Sequence, residues 1–128
     1  MVPFPPFAAS IAGLLKAAAL LAAEGMRPII LQMHTVKPLD AAALDSLAER
    51  AAALIVVEEH VPAGGLWAAV AAWRAERENA PRLIRLGPPD AFALGNLRQA
   101  ELRRRLHLDA ASIAAACRSA WRESRGNR

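Results

Sequence analysis

Residues 54–65 read LIVVEEHVPAGG, and this stretch decides the fold class of the chain. Its first four residues are all apolar, which predicts a short strand that is covered on both faces, as in a parallel sheet. The strand ends at a charged triplet, and Gly64-Gly65 then opens a helix that extends to about Glu78. The buried stripe of that helix is predicted to hold Leu66, Val70 and Trp73. Strand, polar loop and helix in this order are typical of an α/β unit.

The same periodicity predicts further strands and helices on either side of this unit. Strands are expected at 27–33 and 82–86, the second of them weakened by its arginines, and helices at about 7–24, 41–52, 97–105 and 110–122. The first helix is expected to turn Leu14, Leu15 and Leu21 toward the core. Alternating strands and helices predict the α/β class, a three-layer α/β/α fold with a mostly parallel central sheet.

Helix ends are signalled by residues that suit caps. Asp40 and Asp109 each precede a predicted helix, and an aspartate side chain can accept a hydrogen bond from a free backbone N–H there. Gly25 follows the first helix and is placed to end it in the left-handed conformation. These signals fix three helix ends from local sequence alone.

Length and charge bound the class of protein. The chain has 128 residues, so one domain over 1–128 is expected, with a proline-rich lead at 1–6 and a frayed basic tail at 123–128. The formal charge is +4, and the basic residues crowd from Arg98 onward. A basic surface can bind nucleic acid or phosphate, but Tyr is absent and aromatics are few. The arginines are therefore interpreted as solvated helix faces, and a nucleic-acid partner is not expected.

Hydropathy and cysteine content bear on the compartment. No run of residues approaches the roughly 20 apolar positions that a helix needs to span a bilayer, so no membrane partner is expected. The single Cys117 excludes an internal disulfide. A cytoplasmic location is therefore expected.

A candidate site follows the strand at 54–57. Glu58, Glu59 and His60 stand at the edge where open α/β sheets usually bind ligands, and a carboxylate beside an imidazole can do acid–base chemistry or bind a metal. The simpler interpretation is that Glu59 and His60 hold the next loop through hydrogen bonds and face a neighbouring domain. Gly64-Gly65 also has two interpretations. The pair can bind an anion through backbone amides at the start of a helix, or it can simply form a tight turn into that helix.

Other chemically active side chains are scattered. No histidine stands at ligand spacing from a cysteine or from a second histidine, so a metal site is not expected among His34, His60 and His107. Cys117 is interpreted as a small buried apolar residue. The tryptophans can form an exposed contact surface, but their helical spacing favours packing in the core or at an interface; they are Trp67, Trp73 and Trp121.

Several segments, taken in order, carry a resemblance to a known family. They read MHTVKPLD at 33–40, VVEEH with GGL and AV within 56–70, and RLGPPDAF at 85–92. Leu108-Asp109 ahead of Ile113 is similar to the closing pattern of the same family. Together these segments resemble the C-terminal domain of the transketolase family, most of all the C-terminal half-subunit of split transketolases.

That resemblance implies how the work is divided between domains. In such enzymes thiamine diphosphate, with a divalent metal, sits between two other domains contributed by different chains, and the C-terminal domain supports the dimer. The implied role of this chain is structural, in an enzyme that transfers two-carbon ketol units between sugar phosphates. Implied partners are a thiamine-diphosphate-binding N-terminal subunit or domains, and further copies of the chain. A stand-alone binding module that kept the fold and lost the enzyme is the alternative.

Site residues follow from the same resemblance. No catalytic, cofactor-binding or metal-ligating residue is expected on this chain. Glu59, His60, Gly64 and Gly65 are instead assigned to a candidate domain-contact or anion site.

The sequence departs from the family pattern at three places. A proline-rich opening at 2–6 stands where the family has its first strand, so that strand is expected to be degenerate and to leave a sheet edge that drives self-association. Trp67 replaces a glycine, which argues against a close backbone contact at that turn. His107 replaces another glycine and loses the easy left-handed conformation that glycine supplies.

Overall fold

Strands and helices alternate along residues 2–3, 8–91 and 95–126, the part of the chain that this computed structural model describes. Expectations for Phe7, Phe92, the lead at 4–6 and the tail at 127–128 lie outside the described residues. The elements are β1 (Val2–Pro3), α1 (Ala8–Ala23), β2 (Gln32–Met33), α2 (Ala41–Ala48), β3 (Ala53–Val57), α3 (Leu66–Ala75), β4 (Arg82–Leu86), α4 (Gln99–Arg105) and α5 (Ala110–Gly126).

Every strand pairing among the described residues is parallel. β3 pairs with β4 along its whole length, with Ala53 opposite Arg82 and Val57 opposite Leu86. β1 pairs with β2 through Val2 and Gln32 at one end. The predicted α/β class with parallel strands is thus confirmed. The arginines do not weaken β4, which reaches the full length expected of it.

Among the described residues β3 pairs with β4 and β1 with β2, in two two-stranded sheets, and β3 separates two hydrophobic cores. Leu54 and Val56 face one core, which α2 and α3 complete with Leu44, Leu66, Val70 and Trp73. Ile55 and Val57 face the other core, which α1 and α5 complete with Leu14, Ala17, Leu21, Ile113 and Ala114. Because successive strand residues point to opposite faces, one apolar run of four residues serves both cores. The fold is therefore three-layered, α/β/α, as the sequence predicts.

The strand predicted at 27–33 is mostly absent. Only Gln32–Met33 pairs, and Ile29, expected to be buried, is 52% exposed. Pro28 contributes to the shortening, because it has no N–H to give to a ladder. The segment therefore runs beside the sheet without joining it.

The proline-rich opening forms a short strand after all. Val2–Pro3 pairs in parallel with Gln32–Met33, at a position where the sequence predicts poor strand material. A pairing of two residues uses very few backbone donors, so a single proline removes little from it. A first strand is thus present at Val2–Pro3.

The three predicted helix caps are present in the structure, whereas two other helix ends differ from their predicted positions. Asp40 accepts a hydrogen bond from the Ala43 N–H at 3.0 Å, Asp109 accepts from the Ser112 N–H at 3.3 Å, and Gly25 has φ +80°, so all three signals are confirmed. α2 ends at Ala48, earlier than the expected residue 52, and α4 begins at Gln99, later than residue 97.

The expected frayed tail is helical through residues 123–126. α5 continues to Gly126, and within it Glu123 accepts a hydrogen bond from the Ser119 hydroxyl at 3.1 Å and forms an ion pair with Arg82 of β4. Glu123 thus links the last turns of α5 to the preceding turn of the same helix and to strand β4.

The inward face of α1 is narrower than predicted. Leu14 and Leu21 are buried, whereas Leu15 is 58% exposed. Residues 14, 17 and 21 share one side of a helix, and a residue directly after one of them lies about 100° away.

Within the described residues, no helix is both long and apolar enough to cross a membrane.

Candidate functional site

A fully buried carboxylate stands at the end of β3. Glu58 continues the strand through its N–H, which donates to the Leu86 carbonyl of β4 at 3.0 Å. Its side chain is 0% exposed and accepts from Nε of Arg85 at 3.1 Å and from the Trp67 N–H at 3.2 Å. A buried charge is costly unless it is paired and hydrogen-bonded, and Glu58 has both kinds of partner.

Arg85 joins the loops that follow β3 and β4. It lies on β4 and its guanidinium reaches the carboxylate of Glu58. The same group donates to the carbonyls of Gly87 at 3.3 Å and Pro88 at 2.8 Å, and to that of His60. The single planar guanidinium of Arg85 therefore holds the backbone of the loop after β3 and of the loop after β4.

Two glycines make room for this ion pair. A Cβ atom at Gly65 would lie 2.5 Å from Oε2 of Glu58 and 3.0 Å from Nδ1 of His60. A Cβ atom at Gly87 would lie 2.6 Å from the Glu58 carbonyl oxygen and 2.9 Å from a guanidinium nitrogen of Arg85. Both positions require glycine because neighbouring atoms occupy the space of a side chain.

Glu59 and His60 follow the buried Glu58 in sequence and have partners of their own. Glu59 is held by α4, since Oε1 accepts from Nε and Nη2 of Arg103 at 3.1 and 2.9 Å. His60 is exposed, and its Nδ1 lies 2.7 Å from the Val61 carbonyl oxygen. The four predicted residues Glu59, His60, Gly64 and Gly65 thus lie on one loop, where the ring of His60 stands beside Gly65 and Glu59 pairs with Arg103 of α4.

The carboxylate of Glu58 is bound at the N-terminus of α3. Gly65 is the cap residue of α3, and the N–H of Trp67 donates to the carboxylate of Glu58. The expectation that Trp67 prevents a close backbone contact at this turn is therefore wrong. The contact needs only the backbone N–H, and the indole turns aside to rest on the core of α2 and α3. Gly64 supplies the turn with φ +79°.

The sequence alone predicts no role for Arg85 and does not distinguish Glu58 from the neighbouring Glu59. Arg85 stands inside the RLGPPDAF motif, and an arginine placed between the apolar residues Ile84 and Leu86 of a predicted strand is a signal in the sequence. Such an arginine needs a buried acid, and the acid directly following the adjacent parallel strand satisfies it.

The remaining candidates are dispersed. His107 takes φ +57°, so it adopts the left-handed conformation in place of a glycine. Cys117 is half-buried against the core of α1 and α5, and burial raises the pKa of its thiol. Trp73 is buried and Trp67 rests on the core as expected, whereas Trp121 is 51% exposed.

The described residues do not fit a diphosphate held by a divalent metal. Across 2–3, 8–91 and 95–126, no three His, Cys, Asp or Glu side chains come together as ligands. The buried carboxylate of Glu58 is engaged by Arg85 and by a backbone N–H.

The fold and the loop site define a class: a parallel three-layer α/β domain whose strand ends are joined by a buried ion pair. The sequence model of the family described as transketolase, C-terminal domain, matches residues 8–113. The chain therefore belongs to the transketolase C-terminal domain family.

Curated relatives include enzymes named 1-deoxy-D-xylulose-5-phosphate synthase. That of Chlorobium luteolum is 42% identical over 99 residues, covering 77% of this chain and 16% of the relative. That of Syntrophotalea carbinolica is 36% identical over 113 residues, covering 88% of this chain and 18% of the relative. The chain thus spans about a sixth of the length of the curated relatives it matches.

A solved structure with the same fold is a split gene transketolase, described as an inactive beta4 tetramer. It is 30% identical to this chain and has a TM-score of 0.78. The match covers 93% of this chain and 37% of the other. The sequence-based resemblance to transketolases, including split ones, is confirmed by this similarity and by the family match.

Proposed function

We propose that this chain is the structural, assembly domain of a thiamine-diphosphate-dependent enzyme of the transketolase type. The observation that carries the proposal is the match of the family over residues 8–113. The loop geometry supports it, because the Glu58 carboxylate is fully buried and accepts from Arg85 and from the α3 backbone. Such a loop suits a fixed contact surface.

Two reactions are candidates for the parent enzyme. The sequence resemblance favours two-carbon ketol transfer between sugar phosphates, and the split gene transketolase at 30% identity supports it. Relatives at 36–42% identity carry the name 1-deoxy-D-xylulose-5-phosphate synthase. The higher identity makes formation of 1-deoxy-D-xylulose 5-phosphate the first choice, with ketol transfer second.

The partner is a thiamine-diphosphate-binding N-terminal subunit or domain. We expect the chain, purified from its own cells, to bring such a subunit with it, and the complex to form 1-deoxy-D-xylulose 5-phosphate or to transfer ketol units. The chain alone should bind no thiamine diphosphate with Mg²⁺ in a calorimetric titration. Micromolar binding to the chain alone contradicts the assembly role. A chain that recruits no thiamine-dependent subunit supports a stand-alone binding module instead.

We also propose that copies of the chain associate. Ile29, Ile30 and Trp121 are exposed beside an apolar groove of about 250 Å³ that lies between α1, α5 and the segment at 26–31. Exposed apolar patches of this kind are commonly buried in assemblies. The cytoplasm is the proposed compartment, because a single cysteine leaves no internal disulfide to form.

A further inference from the structure

The loop after β3 holds one exposed histidine in a fixed position. The backbone carbonyl of His60 accepts a hydrogen bond from the Arg85 guanidinium. The imidazole stands over Gly65, where a Cβ atom would come within 3.0 Å of Nδ1. The ring itself is hydrogen-bonded to the next residue through Nδ1, at 2.7 Å from the Val61 carbonyl oxygen. An exposed side chain is seldom restrained at so many points.

This hydrogen bond fixes the tautomer of the ring. A carbonyl oxygen can only accept, so Nδ1 of His60 must carry the proton that it donates to Val61. In the neutral imidazole the other nitrogen, Nε2, is then unprotonated and acts as an acceptor. The loop therefore presents an oriented hydrogen-bond acceptor at the molecular surface.

We propose that Nε2 of His60 accepts a hydrogen bond from the thiamine-diphosphate-binding subunit when the two chains assemble. The inference rests on the proposed function and names the atom through which the loop contacts its partner. The ligand chemistry is that of a donor, such as a hydroxyl or amide group of the partner surface. No movement of the chain is needed, because the acceptor is already oriented in the structure.

The charges around the ring favour a donor over an anion. Glu58 is neutralised by Arg85, and Glu59 accepts from Arg103, so the loop offers no uncompensated arginine to a phosphate. The N–H of Trp67 at the start of α3 is occupied by Glu58. The surface atom left for contact is an acceptor, which repels an anion.

The test compares variants in the assembled complex. Calorimetry measures the affinity of the full chain for its thiamine-diphosphate-binding subunit. His60→Asn keeps a donor for the Val61 carbonyl but lacks an atom at the position of Nε2, and should weaken binding about tenfold. His60→Gln carries an amide oxygen near that position and should restore affinity to within about threefold. His34→Asn, the same change at another exposed histidine, is the matched control and should bind as the wild type does.

Nuclear magnetic resonance measures the ¹⁵N signal of Nε2 directly. Nitrogen spectra of the ¹⁵N-labelled wild-type chain should show Nδ1 protonated and Nε2 unprotonated, and the Nε2 signal should move upfield when the subunit is added. An Nε2 signal unchanged in the complex, or wild-type affinity in His60→Asn, overturns the inference and leaves the proposed function standing. Equal losses in His60→Asn and His60→Gln, with lower melting temperatures, overturn it in favour of a folding role. Failure of the wild-type chain to bind any thiamine-dependent subunit overturns both.

Discussion

At the scale of single residues, the buried charge at the end of β3 matters most. Removing one partner of a buried ion pair leaves the other charge without compensation, which costs far more than the loss of an exposed pair. Glu58 and Glu59 are adjacent in sequence and differ in this respect. Glu58 is fully buried against Arg85, and Glu59 meets Arg103 near the surface.

Glu58→Gln is expected to lower the free energy of unfolding by about 3 kcal/mol, because the Arg85 guanidinium is left buried beside a neutral amide. Urea unfolding of the purified chain measures the loss. The control is Glu59→Gln, which removes the pair with Arg103 and should cost less than about 1 kcal/mol. Equal losses in the two variants contradict the assignment of Glu58 as the structural acid.

The two glycines of the loop should respond differently to alanine. Gly65→Ala places a Cβ atom 2.5 Å from the restrained carboxylate of Glu58 and should cost about 2–3 kcal/mol. Gly64→Ala meets no atom within 4 Å and should cost only the left-handed backbone strain, about 1 kcal/mol. Thermal unfolding of both variants checks the order. A larger loss at position 64 is the contrary outcome.

His107 is a site where stability can be gained. Its φ of +57° is unfavourable for a side chain with a Cβ atom, and the residue is exposed. His107→Gly removes this strain and should raise the free energy of unfolding by about 0.5–1 kcal/mol, after the greater flexibility of glycine in the unfolded chain is counted. His107→Ala keeps the strain and is the control. If alanine stabilises as much as glycine, the backbone is not the cause.

At the scale of elements, helices α2 and α3 are joined by one aspartate. Asp45 of α2 accepts from Nε of Arg77 at 2.7 Å and from the indole N–H of Trp73 at 3.0 Å. The guanidinium of Arg77 also lies 4.6 Å from the centre of the Trp73 ring. The aspartate thus satisfies the polar group of a buried tryptophan while it holds the arginine over that ring.

Acid should weaken this link. The hydrogen bond from Arg77 holds the pKa of Asp45 below its ordinary value of 3.8. A carboxyl group with a lowered pKa in the folded state stabilises the fold above its ordinary pKa, and this contribution is lost as the pH falls through the lower value. Between about pH 4 and pH 2, Asp45→Asn should therefore lose less stability than the wild type.

The measurement is the urea midpoint as a function of pH. Asp90→Asn changes an exposed aspartate in the turn after β4 and should follow the wild-type curve. A curve for Asp45→Asn as steep as that of the wild type contradicts a role for Asp45 in the acid response.

At the scale of the whole molecule, the segment at 27–31 leaves apolar side chains uncovered. In sedimentation at tens of micromolar, the chain is expected to form a dimer or larger species through the groove beside this segment. Ile29→Glu and Trp121→Glu place charges at its rim and should shift the species toward monomer.

The matched control for assembly is Leu15→Glu. Leu15 is equally apolar and 58% exposed, but it lies on α1 outside the groove, so this variant should associate as the wild type does. A wild-type chain that stays monomeric at this concentration contradicts the self-association proposal. Dissociation caused by Leu15→Glu alone places the contact on another face.

The sequence by itself determined the α/β class, the central strand and the helix caps. Those features depend on residues close together in the chain. Four consecutive apolar residues at 54–57 serve two cores, and a cap such as Asp40 needs a backbone N–H only three residues away. Local spacing carries that information in full.

The tertiary structure alone decided which acid is buried and which segment pairs. Glu58 differs from Glu59 because Arg85, 27 residues later in the chain, reaches it from a neighbouring strand. Residues 27–31 read as a buried strand, but among the described residues only Gln32–Met33 pairs, with Val2–Pro3 from the start of the chain. In both cases the deciding partner is distant in sequence, and only folding brings it within hydrogen-bonding distance.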